Sequence, residues 1–117
     1  MNKYDVIIVG SGASGVFASY EFKKLNSDLK VLVIDKGNTI YKRQCPIKTG
    51  QVESCIGCKP CNIMNGYGGA GTLSDGKYNI TTNFGGQMHD YLGKEESIEL
   101  MEYVDSVLCR FDGGNSK

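Results

Sequence analysis

The sequence holds no long hydrophobic run. Its start, MNKYDVIIVGSG, carries only the apolar stretch Val6–Val9 before glycine breaks it. That is too short for the core of a secretory signal or for a membrane span, so a cytoplasmic setting with no membrane contact is the expectation. Nor is there a charge excess. Thirteen basic and thirteen acidic side chains cancel, and no global field draws the chain to nucleic acid or to an anionic lipid surface. The largest charge clusters are the pairs Lys23–Lys24 and Glu95–Glu96, which read as solvated helix faces. There is one histidine, His89, in the stretch GGQMHDYLG, which reads as a loop. A general base is one role for it, and a surface histidine is the plainer one. No Ser/His/Asp set, paired carboxylates, internal repeat or interdomain linker stands out.

What is present is glycine and clustered cysteine. At 117 residues the chain has the length for one domain and one modest core. Of its 16 glycines, nine fall between Tyr41 and Leu92, a stretch without a long apolar period. Turns and loops are expected there, and an ordered loop of that length is usually functional or leans on something outside itself. In a reducing compartment, clustered cysteines point to metal or redox chemistry before structural disulfides.

The run DVIIV at Asp5–Val9 has four β-branched members and predicts a strand buried on both faces, as in a parallel sheet. Gly10–Gly15 interrupts it. Val16, Phe17, Tyr20 and Phe22 then follow helical spacing up to Leu25, and Asn26–Asp28 supply stop and turn residues. A second strand, VLVI at Val31–Ile34, ends on Asp35-Lys36-Gly37. This β-α-β order is the opening unit of a doubly wound α/β sheet with a right-handed crossover. Further on, Glu95–Phe111 predicts an amphipathic helix, with Leu100, Met101, Val104, Val107, Leu108 and Phe111 on one arc and Glu99, Glu102 and Ser106 opposite. Gly113-Gly114 is the expected stop. Three segments result: 1–37, the β-α-β unit; 38–93, a glycine- and cysteine-rich loop and hairpin region; and 94–112, the helix. Two strands do not finish a doubly wound sheet. The chain is therefore expected to be the N-terminal portion of a larger protein, or marginal alone.

The strand-to-helix turn reads G-S-G-A-S-G, with Gly10, Gly12 and Gly15 in the G-x-G-x-x-G places and Ala13 and Ser14 between the last two. Gly10 permits the tight turn, Gly12 leaves no Cβ between backbone and a pyrophosphate, and Gly15 lets helix and strand pack closely. The helix N-terminus offers N–H groups and a partial positive charge to phosphate. Asp35 stands 20 positions after Gly15, placed to accept hydrogen bonds from ribose hydroxyls, with Lys36 beside it. A carboxylate there disfavours the 2′-phosphate of NADP. FAD and NAD both use this fingerprint, and a glycine-rich turn that binds nothing is the plainer alternative. Downstream, Gly68, Gly69, Ala70 and Gly71 have almost no side chain, so their N–H groups can approach a flat ring or a phosphate. Asp75-Gly76 then predicts a hairpin, with Tyr78, Ile80 and Thr82 alternating after it. A glycine-rich hairpin that merely supports the sheet is the second reading of this segment.

From DVIIVGSGASG through DKG the chain resembles the N-terminus of the FAD-dependent oxidoreductases of the two-dinucleotide-binding-domain type. R-x-C-P at Arg43–Pro46, C-x-x-C-x-x-C-N-I at Cys55–Ile63 and G-Y-G-G-A-G-T-L-S-D-G-K at Gly66–Lys77 resemble one group within them, the bacterial and archaeal NAD(FAD)-utilizing dehydrogenases. The resemblance implies a Rossmann-like FAD/NAD(P)-binding domain, incomplete as given, with FAD held through Gly10, Gly12, Gly15 and Asp35. It also implies that Gly68–Gly71 lies near the flavin end of the cofactor. The implied partners are a small-molecule substrate or electron donor, with NAD(P)H as a candidate, and the remainder of a longer chain.

Cys55, Cys58 and Cys61 stand at strict three-residue spacing, with Cys45-Pro46 upstream. Three thiolates from one tight loop suit an iron–sulfur cluster, and a fourth cysteine beside proline is a familiar companion, although in ferredoxin-like runs it follows the triplet. Zinc prefers two separated C-x-x-C pairs. A thiol–disulfide couple exchanging electrons with flavin, or a loop of inert thiols, are the other readings. Cys109 falls on the polar side of the last helix and reads as a peripheral thiol. At the level of function, the expectation is an FAD-binding oxidoreductase. The rivals are an NAD-dependent dehydrogenase, a non-catalytic iron–sulfur or metal-binding electron carrier, and an inactive truncated product.

Overall fold

A computed structural model describes residues 3–83, 85–111 and 113. The chain divides into two compact units, Met1–Ser74 and Asp75–Lys117, with the boundary inside the glycine-rich stretch.

The first unit begins with strand β1 (Val6–Val9), helix α1 (Ala13–Leu25) and strand β2 (Val31–Ile34). The strands pair in parallel, Val6 opposite Val31 through Val9 opposite Ile34. Asp5 closes the near end of the pair, because its N–H donates to the Lys30 carbonyl at 2.9 Å and its carboxylate accepts the Lys30 N–H at 2.8 Å. At the far end the Gly10 N–H donates to the Ile34 carbonyl at 2.7 Å, carrying the ladder into the turn. Gly10 leaves the sheet at φ +101°, a conformation L side chains rarely adopt.

Helix α1 starts inside the glycine motif rather than after it. Gly12 is its N-cap, and the Val16 N–H closes on the Gly12 carbonyl at 3.0 Å. Alanine is a strong helix former, so the turn begins as soon as Gly12 allows it. Asn26 ends the helix, donating its N–H to the Phe22 carbonyl at 3.0 Å. Gly15 faces the strand. An added Cβ there would run into the Gly10 carbonyl and press on Ile8 Cγ2. Gly15→Ala is therefore expected to destabilise the first unit by about 1–3 kcal/mol, read as a lower thermal midpoint; an unchanged midpoint would show that helix and strand are not this close.

The expectation of a strand buried on both faces does not hold. Along β1, half-buried Val6 and Ile8 alternate with exposed Ile7 and Val9, and Val9 is 85% exposed. Helix α1 packs against both strands, and along β1 the burial alternates with the period of a half-covered strand although the residues are uniformly apolar, while β2 is half-buried at Val31, Leu32 and Val33.

The rest of the first unit has little regular structure: 3₁₀ turns at Ile40–Lys42 and Gly69–Leu73 and otherwise bends and turns. It is organised by one side chain. Arg43 is 6% exposed, and its guanidinium donates to the carbonyls of Asn62 (2.8 Å), Tyr67 (2.9 Å) and Ile63 (2.6 Å). Among the described residues no carboxylate pairs with it; the charge is met by peptide dipoles alone.

In the second unit, helix α2 (Met88–Leu92) is followed by helix α3 (Lys94–Arg110), and the two pack together. Gly93 ends one and begins the other at φ +82°, a joint that favours glycine. Ser97 is fully buried, its hydroxyl donating to the Gly93 carbonyl at 2.6 Å. Glu95 and Glu96 in the first turn and Arg110 in the last complement the helix dipole. Of the predicted apolar arc, Val107 is buried and Met101 and Val104 are half-buried, while Leu100, Leu108 and Phe111 are exposed. Phe111 caps the helix, donating to the Leu108 carbonyl at 3.0 Å. Gly113 donates to the same carbonyl at 2.9 Å, and Gly114 lies outside the described residues. His89 sits in α2 rather than in a loop, with Nε2 3.4 Å from the Asp90 carboxylate.

The hairpin expected after Asp75-Gly76 is absent among the described residues, where β1 and β2 are the only strands. The Asp75 carboxylate bonds locally to Lys77, accepting its backbone N–H at 3.4 Å and pairing with its ammonium at 3.1 Å. Such local bonds compete with a ladder. Partial burial and the nearby Asp105 carboxylate push the Tyr78 phenol up. No helix among the described residues is long and apolar enough to cross a membrane.

Candidate functional site

The glycine turn and the end of β2 face one cavity of about 430 Å³, within the range of small-molecule sites. It is lined by Val9, Gly10, Gly12, Ile34, Asp35, Lys36, Met64, Asn65, Gly66 and Gly69.

Asp35 is its centre. One carboxylate oxygen, Oδ2, accepts the Ser11 N–H at 2.8 Å; the other, Oδ1, accepts those of Gly37 at 2.7 Å and Gly66 at 3.0 Å. The Ser11 N–H, then the Gly37 N–H, the nearby Ser11 hydroxyl and the Gly66 N–H hold the carboxyl at about 2, against 3.8 ordinarily and against partial desolvation. A carboxylate has about four acceptor positions. Three are used by backbone N–H groups, and the Ser11 hydroxyl stands near enough to help hold the charge. Ser11 is 2% exposed, and its Oγ is buried without a partner in hydrogen-bond geometry.

The floor of the cavity is open backbone. An added Cβ at Gly10 or Gly12 would meet nothing within 4 Å. The first turn of α1 has no acidic residue and no side-chain cap, so its N–H groups and the positive end of its dipole are not compensated by the helix itself. Gly68 donates to the Ser11 carbonyl at 2.8 Å, and Gly69 lies so close that a Cβ there would stand 3.0 Å from the Gly12 Cα.

Of the residues singled out by sequence, the structure brings Gly10, Gly12, Asp35, Lys36 and Gly69 around this cavity. Gly15 faces the strand instead. Ala13 and Ser14 begin α1 with exposed side chains, and Ala70 and Gly71 are exposed beyond the cavity. The resemblance implies that Gly68–Gly71 sits at the flavin end of a cofactor; Gly68 and Gly69 lie against the Ser11–Gly12 turn. Sequence reasoning missed Met64, Asn65 and Gly66. Only the quoted G-Y-G-G-A-G run, which begins at Gly66, marked that neighbourhood.

The four cysteines Cys45, Cys55, Cys58 and Cys61 line a second, small cavity of about 30 Å³, with Pro46, Ile47, Val52, Ile56 and Asn62. No disulfide joins the cysteines. The N–H groups of Met64 and Ile63 and the Arg43 guanidinium hold the Cys61 thiol below its ordinary value, against desolvation. Among the described residues no three His, Cys, Asp or Glu side chains converge on a single ion position. Cys109 does not line this cavity.

No protein-family model, curated protein or solved structure matches the chain.

Proposed function

We propose that the larger cavity takes the ADP half of FAD, and that the chain is the dinucleotide-binding part of a cytoplasmic flavin-dependent oxidoreductase with a Rossmann-like sheet. The observation that carries this reading is the Asp35 carboxylate. It is bonded to the glycine turn on one side and to Gly66 on the other, and it lines the same cavity as the Cβ-free backbone of Gly10 and Gly12. A carboxylate there suits a ribose hydroxyl, and the uncompensated start of α1 suits a pyrophosphate. The residues present therefore fit the nucleotide half of the cofactor. The resemblance of the motifs to FAD-dependent dehydrogenases selects FAD over NAD. The flavin would supply hydride or electron acceptance from a small-molecule donor, with NAD(P)H a candidate, and the chain's own residues would bind and orient it.

Gly12→Val separates binding from folding. Its Cβ would meet nothing within 4 Å, so the thermal midpoint should stay near that of the wild type while FAD affinity falls by about tenfold or more. Flavin fluorescence titrations of both proteins, with NAD as competitor, read the outcome. Equal affinity in wild type and variant contradicts the assignment, and tighter binding of NAD than of FAD replaces the cofactor.

A further inference from the structure

We propose that Cys58 and Cys61 form a reversible thiol–disulfide pair that reduces a low-molecular-weight disulfide. The inference does not rest on the flavin reading. Cys45, Cys55, Cys58 and Cys61 border one cavity of about 30 Å³, room for about one or two water molecules. Among the described residues no three Cys, His, Asp or Glu side chains are grouped to hold a metal. A disulfide needs only two sulfurs and adds no atom to the space, so it is the sulfur chemistry this cavity accommodates. Within the four, C-x-x-C spacing joins Cys58 to Cys61 through a short loop, and both are half-buried while Cys55 is exposed. The structure shows the reduced form.

The two thiols have different surroundings. Cys61 is anchored, since the Asn65 N–H and Nδ2 donate to its carbonyl at 2.9 and 3.1 Å. The next residue is tied down as well: the Asn62 carbonyl accepts from Arg43, and Asn62 Nδ2 donates to the Gln44 carbonyl, each at 2.8 Å. This turn aims the Ile63 and Met64 N–H groups at the Cys61 sulfur, with the Arg43 guanidinium nearby. Such donors and a positive charge favour a thiolate, whereas the rest of the wall, Pro46, Ile47, Val52 and Ile56, is apolar and favours none. Cys61 is therefore the attacking sulfur. Cys58 lies in a stretch of bends and irregular chain, 51–61, so it can turn toward Cys61 without breaking a helix or strand. The Cys61 thiolate attacks one sulfur of the small disulfide, forming a mixed disulfide and releasing one small thiolate. Cys58 gives up its proton and attacks the Cys61 sulfur; the Cys58–Cys61 bond forms and the second small thiol leaves. The pair loses two electrons and two protons, and the small disulfide becomes two thiols.

The test is anaerobic incubation of the full chain, reduced and free of flavin, with glutathione disulfide, followed by thiol counting and peptide mass mapping without reduction. Two of the five thiols should be lost to a Cys58–Cys61 link, no glutathione should stay attached to the pair, and excess reduced glutathione should restore both thiols. Cys58→Ser should trap glutathione on Cys61, while Cys45→Ser and Cys55→Ser should still form the link. Should the serine variants unfold, the wild-type thiol count and peptide map still decide. Five thiols remaining, a link between another pair of cysteines, or glutathione trapped on Cys55 in place of Cys61 in Cys58→Ser would each overturn the assignment.

Discussion

Asp35→Ala is expected to weaken FAD binding by about a hundredfold and to loosen the first unit at the same time. The carboxylate is the shared acceptor for the Ser11, Gly37 and Gly66 N–H groups, so its removal frees the glycine turn and the Gly66 loop together. Asp35→Asn keeps the volume but turns an amide NH₂ toward backbone donors, and should recover little. The pH dependence follows from the same contacts. The carboxyl lies at about 2 in the folded chain and 3.8 ordinarily, so the unfolded state binds more protons between those values. The stability Asp35 contributes is complete above pH 3.8 and is lost as pH falls towards 2. Urea midpoints of wild type and Asp35→Asn should therefore converge across that window; a gap that stays constant through it would contradict the role given to the carboxylate.

Arg43→Ala should be the most destabilising single substitution in the loop region, at about 2–4 kcal/mol. Three carbonyls, those of Asn62, Ile63 and Tyr67, lose their donor at once, and a buried side chain leaves a gap behind it. The segment these carbonyls belong to joins the two cavities, since Asn62 lines one and Met64–Gly66 the other. Lysine keeps the charge but not the planar fork, so Arg43→Lys should recover less than half of the loss. Urea unfolding gives the magnitude, and amide exchange gives the place. Faster exchange at Gly66 and Tyr67 with α3 unchanged is the expected pattern, and uniform acceleration throughout would contradict a local role.

The β-α-β order and the glycine turn were legible because each rests on a local rule: β-branched runs for the strands, and glycine where the chain turns sharply and packs closely. The start of α1 at Ala13, inside the motif, was not, because Gly12 serves both as a bare approach to the cavity and as N-cap. The exposure of Ile7 and Val9 was misread for a different reason. An apolar run reports what a strand is able to bury, and only tertiary packing decides how much of it is covered. The missing hairpin follows the same logic, since alternation at Tyr78, Ile80 and Thr82 makes no ladder without a partner strand. Arg43 is the instructive omission. It was noted only as part of a motif, and nothing in its neighbours announces that the carbonyls it serves lie about twenty residues further on.

The most direct test is amide-resolved NMR of the full chain titrated with FAD. The account predicts saturable shifts at Gly10, Ser11, Gly12, Asp35, Lys36, Gly66 and Gly69, all following one binding curve, with α3 silent. A folded spectrum that FAD leaves unchanged, or shifts confined to residues away from this cavity, would contradict it.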